Sequence, residues 1–111
     1  MPNDNLIHIE SMDQFNKETK DSNLIIDFWA EWCGPCRMMG PVFELLSNDY
    51  KGKLKFAKVN TDDLPEISQK FGIQGIPSLI VLKNGKEVDR IVGFAPKEIL
   101  KAKINSALTK L

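Results

Sequence analysis

Residues Leu24–Pro41 read LIIDFWAEWCGPCRMMGP. The first seven, LIIDFWA, are apolar at both parities. Leu24, Ile26, Phe28 and Ala30 would line one face of a strand and Ile25 and Trp29 the other, with Asp27 between them. A strand apolar on both sides is buried on both sides, at the centre of a mainly parallel sheet. Next come the chain's only two cysteines, Cys33 and Cys36, separated by Gly34 and Pro35. Beyond them Met39, Val42, Phe43, Leu46 and Tyr50 recur at helical spacing, which predicts a helix packing one face on that sheet. Pro35 suits its first turn, whereas Pro41 falls inside it, removes a donor and crowds the carbonyl of Arg37, predicting a kink. The cysteine pair therefore stands where a central strand hands over to a helix.

Upstream, Leu6 to Ile9 reads as a short strand, and Ser11 with Gln14 three residues on is a capping-box pattern opening a helix that fades around Lys20 to Asn23. Downstream, LKFAKVN at 54–60 has strand character, and Thr61, Asp62 and Asp63 offer caps for a short helix ending near Gly72. SLIVLK at 78–83 is a second strand apolar on both faces. Asn84-Gly85 joins it to KEVDRIV in a strong hairpin signal, and the charge of that last strand suits an edge. Pro96 fits the first position of a closing helix whose Leu100, Ile104, Ala107, Leu108 and Leu111 face inward. The order is βαβαβαββα. Helical crossovers imply parallel strands and the hairpin antiparallel ones, so the expectation is an α/β fold with a mixed five-stranded sheet flanked by four helices on both faces. With 111 residues, 42% of them hydrophobic, the chain is expected to form one domain over 1–111.

Lys plus Arg and Asp plus Glu both number 15, so the formal net charge is zero and no long-range field gathers nucleic acid or an anionic membrane. The opening MPNDNLIHIE lacks the basic start and apolar run of a signal peptide, and no apolar stretch approaches the roughly 20 residues of a membrane span. A soluble cytoplasmic protein is expected.

Three roles compete for the cysteine pair. A structural zinc needs four ligands, of which one CxxC supplies two, and the lone His8 is distant in sequence. No metal is expected, although a site bridging subunits is not excluded by counting. A structural disulfide would close too small a loop to constrain the unfolded chain much. A redox pair fits the location: free N–H groups and the positive end of the helix dipole stabilise a thiolate at Cys33, and one helical turn brings Cys36 to the same side.

The sequence resembles the thioredoxin family across almost its whole length from about Leu6. The matching segments are DFWAEWCGPC at 27–36, AKVNTDD at 57–63, FGIQGIPSLIVLKNG at 71–85 and VGFAPKE at 92–98. A CxxC beside a βαβ pattern is itself a thioredoxin-like signature. The resemblance implies the thioredoxin fold and a disulfide reductase. In it, Cys33 attacks a protein disulfide, Cys36 resolves the mixed disulfide, and a flavoprotein thioredoxin reductase recycles the oxidised chain. It further implies a monomer that carries no cofactor of its own.

Asp27, on the inward face of a strand, is either a buried carboxyl satisfied by hydrogen bonds or a proton acceptor whose pKa burial raises. The resemblance implies the second role, toward Cys36. Lys58 shares strand parity with Leu54 and Phe56, which leaves open a stem running inward toward Asp27 and a solvated surface position. Gly34 and Pro35 between the cysteines resemble those of the reductants of the family and, with Lys58, would tune the couple. Pro77 is an ordinary strand boundary on sequence grounds, and the resemblance implies a cis Ile76–Pro77 bond facing the cysteines. Trp32, Gly34, Pro35, Gly75, Ile76 and Gly93 would then border a shallow, mostly apolar groove around Cys33, with Pro77 also among the residues that bind substrate. Trp29 reads better as core. Phe94 departs from family members with a small residue there, which bears on partner preference, and Arg37 and Gly40 stand where Lys and Ala are common.

Overall fold

The structure is a computed structural model that describes residues 5–111; residues 1–4 of the expected domain lie outside the described residues. Strands β1 (Leu6–His8), β2 (Asn23–Trp29), β3 (Lys55–Asn60), β4 (Ser78–Lys83) and β5 (Lys86–Val92) form one sheet in the order β1-β3-β2-β4-β5. The β1–β3 and β3–β2 pairs are parallel; β2–β4 and β4–β5 are antiparallel. Helices α1 (Met12–Thr19), α2 (Gly34–Ser47), α3 (Pro65–Lys70) and α4 (Lys97–Leu108) complete the expected order. A short 3-10 turn, Asn48–Tyr50, extends α2 and was not foreseen.

Strand parity sorts the core into two layers. Ile25 on β2 and Leu79 and Val81 on β4 pack with Met39, Phe43 and Leu46 of α2 and with Leu100 and Ile104 of α4. Leu24, Ile26 and Phe28, one position out of phase, pack on the other side with Phe15 of α1 and Ile67 of α3. The helices thus cover both faces because β2 and β4 are apolar at every position but Asp27 and the polar strand ends.

Local chemistry explains the boundaries. The Ser11 side chain accepts from the Gln14 N–H at 3.0 Å and the Gln14 carboxamide oxygen accepts from the Glu10 N–H at 2.8 Å, so the box closes one residue upstream of the cap. Asn84 and Gly85 both take positive φ, 51° and 83°, as a two-residue type I′ hairpin requires. Helix α2 continues through Pro41.

Two expectations are corrected. Thr61, Asp62 and Asp63 do not cap α3: the cap position is Leu64, which makes no side-chain cap bond, because Pro65 holds the first turn and keeps the residue before it out of the helical region, at φ −131° and ψ 64°. Pro96 is the cap residue of α4, not its first residue, since its ψ of 162° is extended while its carbonyl accepts from the Leu100 N–H at 2.9 Å.

Candidate active site

Cys33 occupies the N-cap of α2 in an extended conformation, and its sulfur accepts from the Cys36 N–H at 3.2 Å. Pro35 sits in the first turn, where a missing N–H leaves no intrahelical bond unmade. Cys33 and Cys36 are joined by a disulfide, with Cα atoms 5.2 Å apart. Both residues are buried, and they form a small cluster with Ala30 against which Trp29 and Ile76 pack. A sulfur that already receives an N–H at a helix N-terminus is a site where negative charge is stabilised, so on reduction Cys33 is the thiol whose anion this arrangement favours.

The Ile76–Pro77 bond is cis. The Ile76 carbonyl oxygen lies 3.6 Å from the Cys33 sulfur. The Pro77 carbonyl accepts from the Gly93 N–H at 2.8 Å, which ties the 93–94 segment to the proline. Gly93 holds φ of 89°, a conformation that disfavours any side chain. A Cβ at Gly34, Gly75 or Gly93 would meet nothing within 4 Å, so these glycines face open space. Pro77 is buried, Ile76 half-buried, and Trp32 is 69% exposed. A depression lined by Trp32, Thr61, Ser68, Ile73, Gln74 and Ile76 runs beside the disulfide. Three of those six, Ser68, Ile73 and Gln74, were not singled out in the sequence, and Thr61 only as a helix cap. Phe94 is 41% exposed just past Gly93. The Arg37 guanidinium donates to the Glu31 carbonyl at 2.8 Å, spanning the turn that carries Cys33.

Sequence reading also missed what fixes Trp32. Its ring nitrogen donates to Asp62 at 3.0 Å, and the Asp62 turn is anchored by Thr61, whose N–H reaches the Trp29 carbonyl at 2.9 Å. Water satisfies the N–H of an exposed tryptophan, so nothing in the sequence demands a protein acceptor, and a partner 30 residues away leaves no local signal.

Asp27 is fully buried, and neither of its carboxylate oxygens has a hydrogen-bond partner among the described residues. No protein group among the described residues thus satisfies the carboxyl as a hydrogen-bonded core residue. Its pKa is pushed up to about 7: burial raises it, Lys58 opposes that, and Glu44 adds to it. Lys58 stands directly across the β2–β3 ladder from Asp27. Its side chain is 10% exposed and turns inward, which settles the choice left open above. The ammonium pairs with Glu44 at 3.1 Å and lies 5.0 Å over the Trp29 ring. Trp29 is half-buried between this cation and the cysteine cluster. A Cβ at Gly40 would come within 3.5 Å of the Lys58 nitrogen, so the pair lies against the bare backbone of α2. Among the described residues no group of three or more His, Cys, Asp or Glu side chains could hold a metal ion.

The thioredoxin family model matches residues 6–106. The thioredoxin of Chlorobaculum thiosulfatiphilum is 46% identical over 101 residues, covering 88% of this chain and 94% of that one. Bacillus subtilis thioredoxin is 44% identical, covering 90% and 97% respectively. The solved structure of Malassezia sympodialis thioredoxin superposes with a TM-score of 0.84 at 42% identity, over 93% of this chain and 90% of that one. A strand-to-helix junction holding a paired CxxC, on a sheet of this order, thus agrees with the relatives: the chain belongs to the thioredoxin family and is a thiol-disulfide oxidoreductase whose redox pair is Cys33 and Cys36.

Proposed function

We propose that this protein works in the reducing direction, as a monomeric single-domain carrier in the cytoplasm, passing electrons from a flavoprotein thioredoxin reductase to protein disulfides. The Cys33 thiolate attacks one sulfur of the substrate disulfide, forming a mixed disulfide and releasing the other as a thiolate. Cys36 then gives up its proton to Asp27, attacks the Cys33 sulfur and expels the reduced substrate, which leaves the Cys33–Cys36 disulfide. The reductase returns two electrons, and the chain needs no cofactor of its own. Trp32, Gly75, Ile76, Pro77 and Gly93 hold the substrate segment, with the Ile76 backbone available for main-chain pairing that tolerates many sequences. Gly34, Pro35 and Lys58 tune the couple.

The observation that carries the assignment of roles is the asymmetry of the two sulfurs: Cys33 holds the helix N-cap and receives an N–H, while Cys36 lies inside the first turn. Thiolate stabilisation alone supplies little. Lowering a thiol pKa from about 8.5 to about 7 raises the thiolate fraction at neutral pH roughly 16-fold. Lower basicity takes back about 5-fold at a Brønsted slope near 0.45, a net of about 3-fold. Positioning of the target sulfur in line, and of Cys36 as an intramolecular thiol, accounts for the larger share.

Trapping tests the roles. Cys36→Ser is expected to accumulate a mixed disulfide with oxidised insulin, and Cys33→Ser to form none; the reverse pattern would exchange the two roles. Direction is read by titrating the couple, since thioredoxins lie near about −270 mV and the isomerases near about −180 mV, a gap of roughly 4 kcal/mol. A value at the isomerase end would overturn the reductant reading.

A further inference from the structure

Asp27 and Glu44 are both carboxylates, and a single ammonium serves them. Lys58 is the cross-ladder neighbour of Asp27, yet its nitrogen is bound by Glu44 at 3.1 Å, against Gly40 and over the Trp29 ring. An exposed ion pair of this kind contributes little, but here the cation is 10% exposed and the competing acceptor is fully buried with both oxygens unpartnered. We propose that Glu44 is a positioning residue for the resolving step: its carboxylate holds the Lys58 ammonium on the α2 side and withholds that charge from Asp27. This rests on the reading of Asp27 as the proton acceptor for Cys36.

Among the described residues, the charged groups acting on Asp27 are Lys58 from β3 and Glu44 from α2; its partner on β4, Leu79, is apolar. Both effects of Glu44 point the same way. Its own negative charge disfavours a second anion at Asp27, and its grip on Lys58 removes the compensation that would permit one. Asp27 therefore keeps its affinity for a proton near neutrality, the range in which an acceptor both takes a proton and returns it. Without Glu44 the ammonium is left with Asp27 as its nearest anion, and the acceptor becomes a weaker base that is ionised over more of the pH range.

The test is a carboxyl carbon NMR titration of Asp27 in the oxidised protein, for the parent, Glu44→Gln, Lys58→Met and the double variant. Glu44→Gln is expected to move the Asp27 midpoint to lower pH and Lys58→Met to move it higher. In the Lys58→Met background, Glu44→Gln should retain only the through-space part and give a smaller downward movement. An unmoved or raised midpoint in Glu44→Gln overturns the proposal, and so does an equal movement in both backgrounds, which would leave Lys58 no part in it. Kinetics supply the second readout. For a tenfold loss of proton affinity, resolution should be roughly twofold faster near about pH 6 and roughly threefold slower near about pH 8, a crossover that a purely structural defect would not give. If Asp27→Asn resolves at the parent rate across this range, the proton-acceptor reading fails while the NMR result still decides whether Glu44 governs Asp27.

Discussion

The two faces of the central sheet are built from alternate residues of the same strands, yet only one encloses a fully buried carboxyl. On the α1–α3 face, Leu24, Ile26 and Phe28 of β2 meet Ala57, Val59, Ile80 and Leu82 in an unbroken apolar layer. On the α2–α4 face the same strand presents Ile25 and then Asp27, with Lys58 beside it and Glu44 above. Burial is equal, since Ile26 and Asp27 are both fully enclosed. What differs is that the second face nearly encloses its ammonium, Lys58, and carries Trp29, which packs on the cysteine pair. One face is specialised for cohesion and the other gives up stability to hold a titratable group.

The sharpest way to break this comparison is to move the carboxylate by one residue. Ile26→Asp puts it between Ala57 and Ile80, where the cations of that face, Lys55 and Arg90, sit more exposed and already paired with Glu18 and Glu87. The loss combines the buried aliphatic side chain with an uncompensated carboxyl, about 5 kcal/mol or more, comparable with the whole stability of such a domain. The variant is expected to be unfolded by circular dichroism at neutral pH; a folded variant would show that the two faces are interchangeable.

The reverse change is next in size. Asp27 binds its proton more tightly in the folded chain, with a pKa of about 7, than a carboxyl at its ordinary 3.8 does. Between those two values the folded state holds a proton that the unfolded state has released, so stability falls as pH rises through the window and the loss is complete above the folded pKa. The size of the shift corresponds to about 4 kcal/mol. Asp27→Ala removes this dependence, so its stability relative to the parent should improve by up to about 4 kcal/mol between about pH 4 and about pH 8 in urea unfolding. A difference independent of pH would mean that Asp27 is not held at a raised pKa.

The sequence showed this division only in part. Parity in LIIDFWA separates Ile26 from Asp27 because strand side chains alternate strictly, and the same rule puts Lys58 on the face of Asp27. Parity does not say whether a long lysine stem stays under a helix or turns out to solvent, and that depended on α2 passing close by at Gly40. Glu44 was invisible because on its helix it is an ordinary polar residue beside the apolar Phe43; its importance comes from a lysine on another element. The cysteines were legible because strand, cap and helix are contiguous there, whereas Trp32 and Asp62 meet across a turn. The acidic run at 61–63 looked like a helix cap until Pro65 fixed the start of α3 downstream of it.

Gly40 offers the finest adjustment to the charged face. Glycine within a helix is less favourable than alanine by about 0.8–1.0 kcal/mol, mainly through backbone entropy. The added methyl would lie 3.5 Å from the Lys58 nitrogen and 3.7 Å from a Glu44 oxygen, both ordinary contacts. Gly40→Ala is therefore expected to stabilise the protein by about 0.5–1 kcal/mol with the ion pair intact. Chemical denaturation measures the gain, and the Asp27 midpoint, read by the same NMR titration, should stay at its parent value. A gain accompanied by a displaced midpoint would mean that the bare backbone at Gly40 is itself part of what holds Lys58 in place, and that the charged face tolerates less filling than the apolar one.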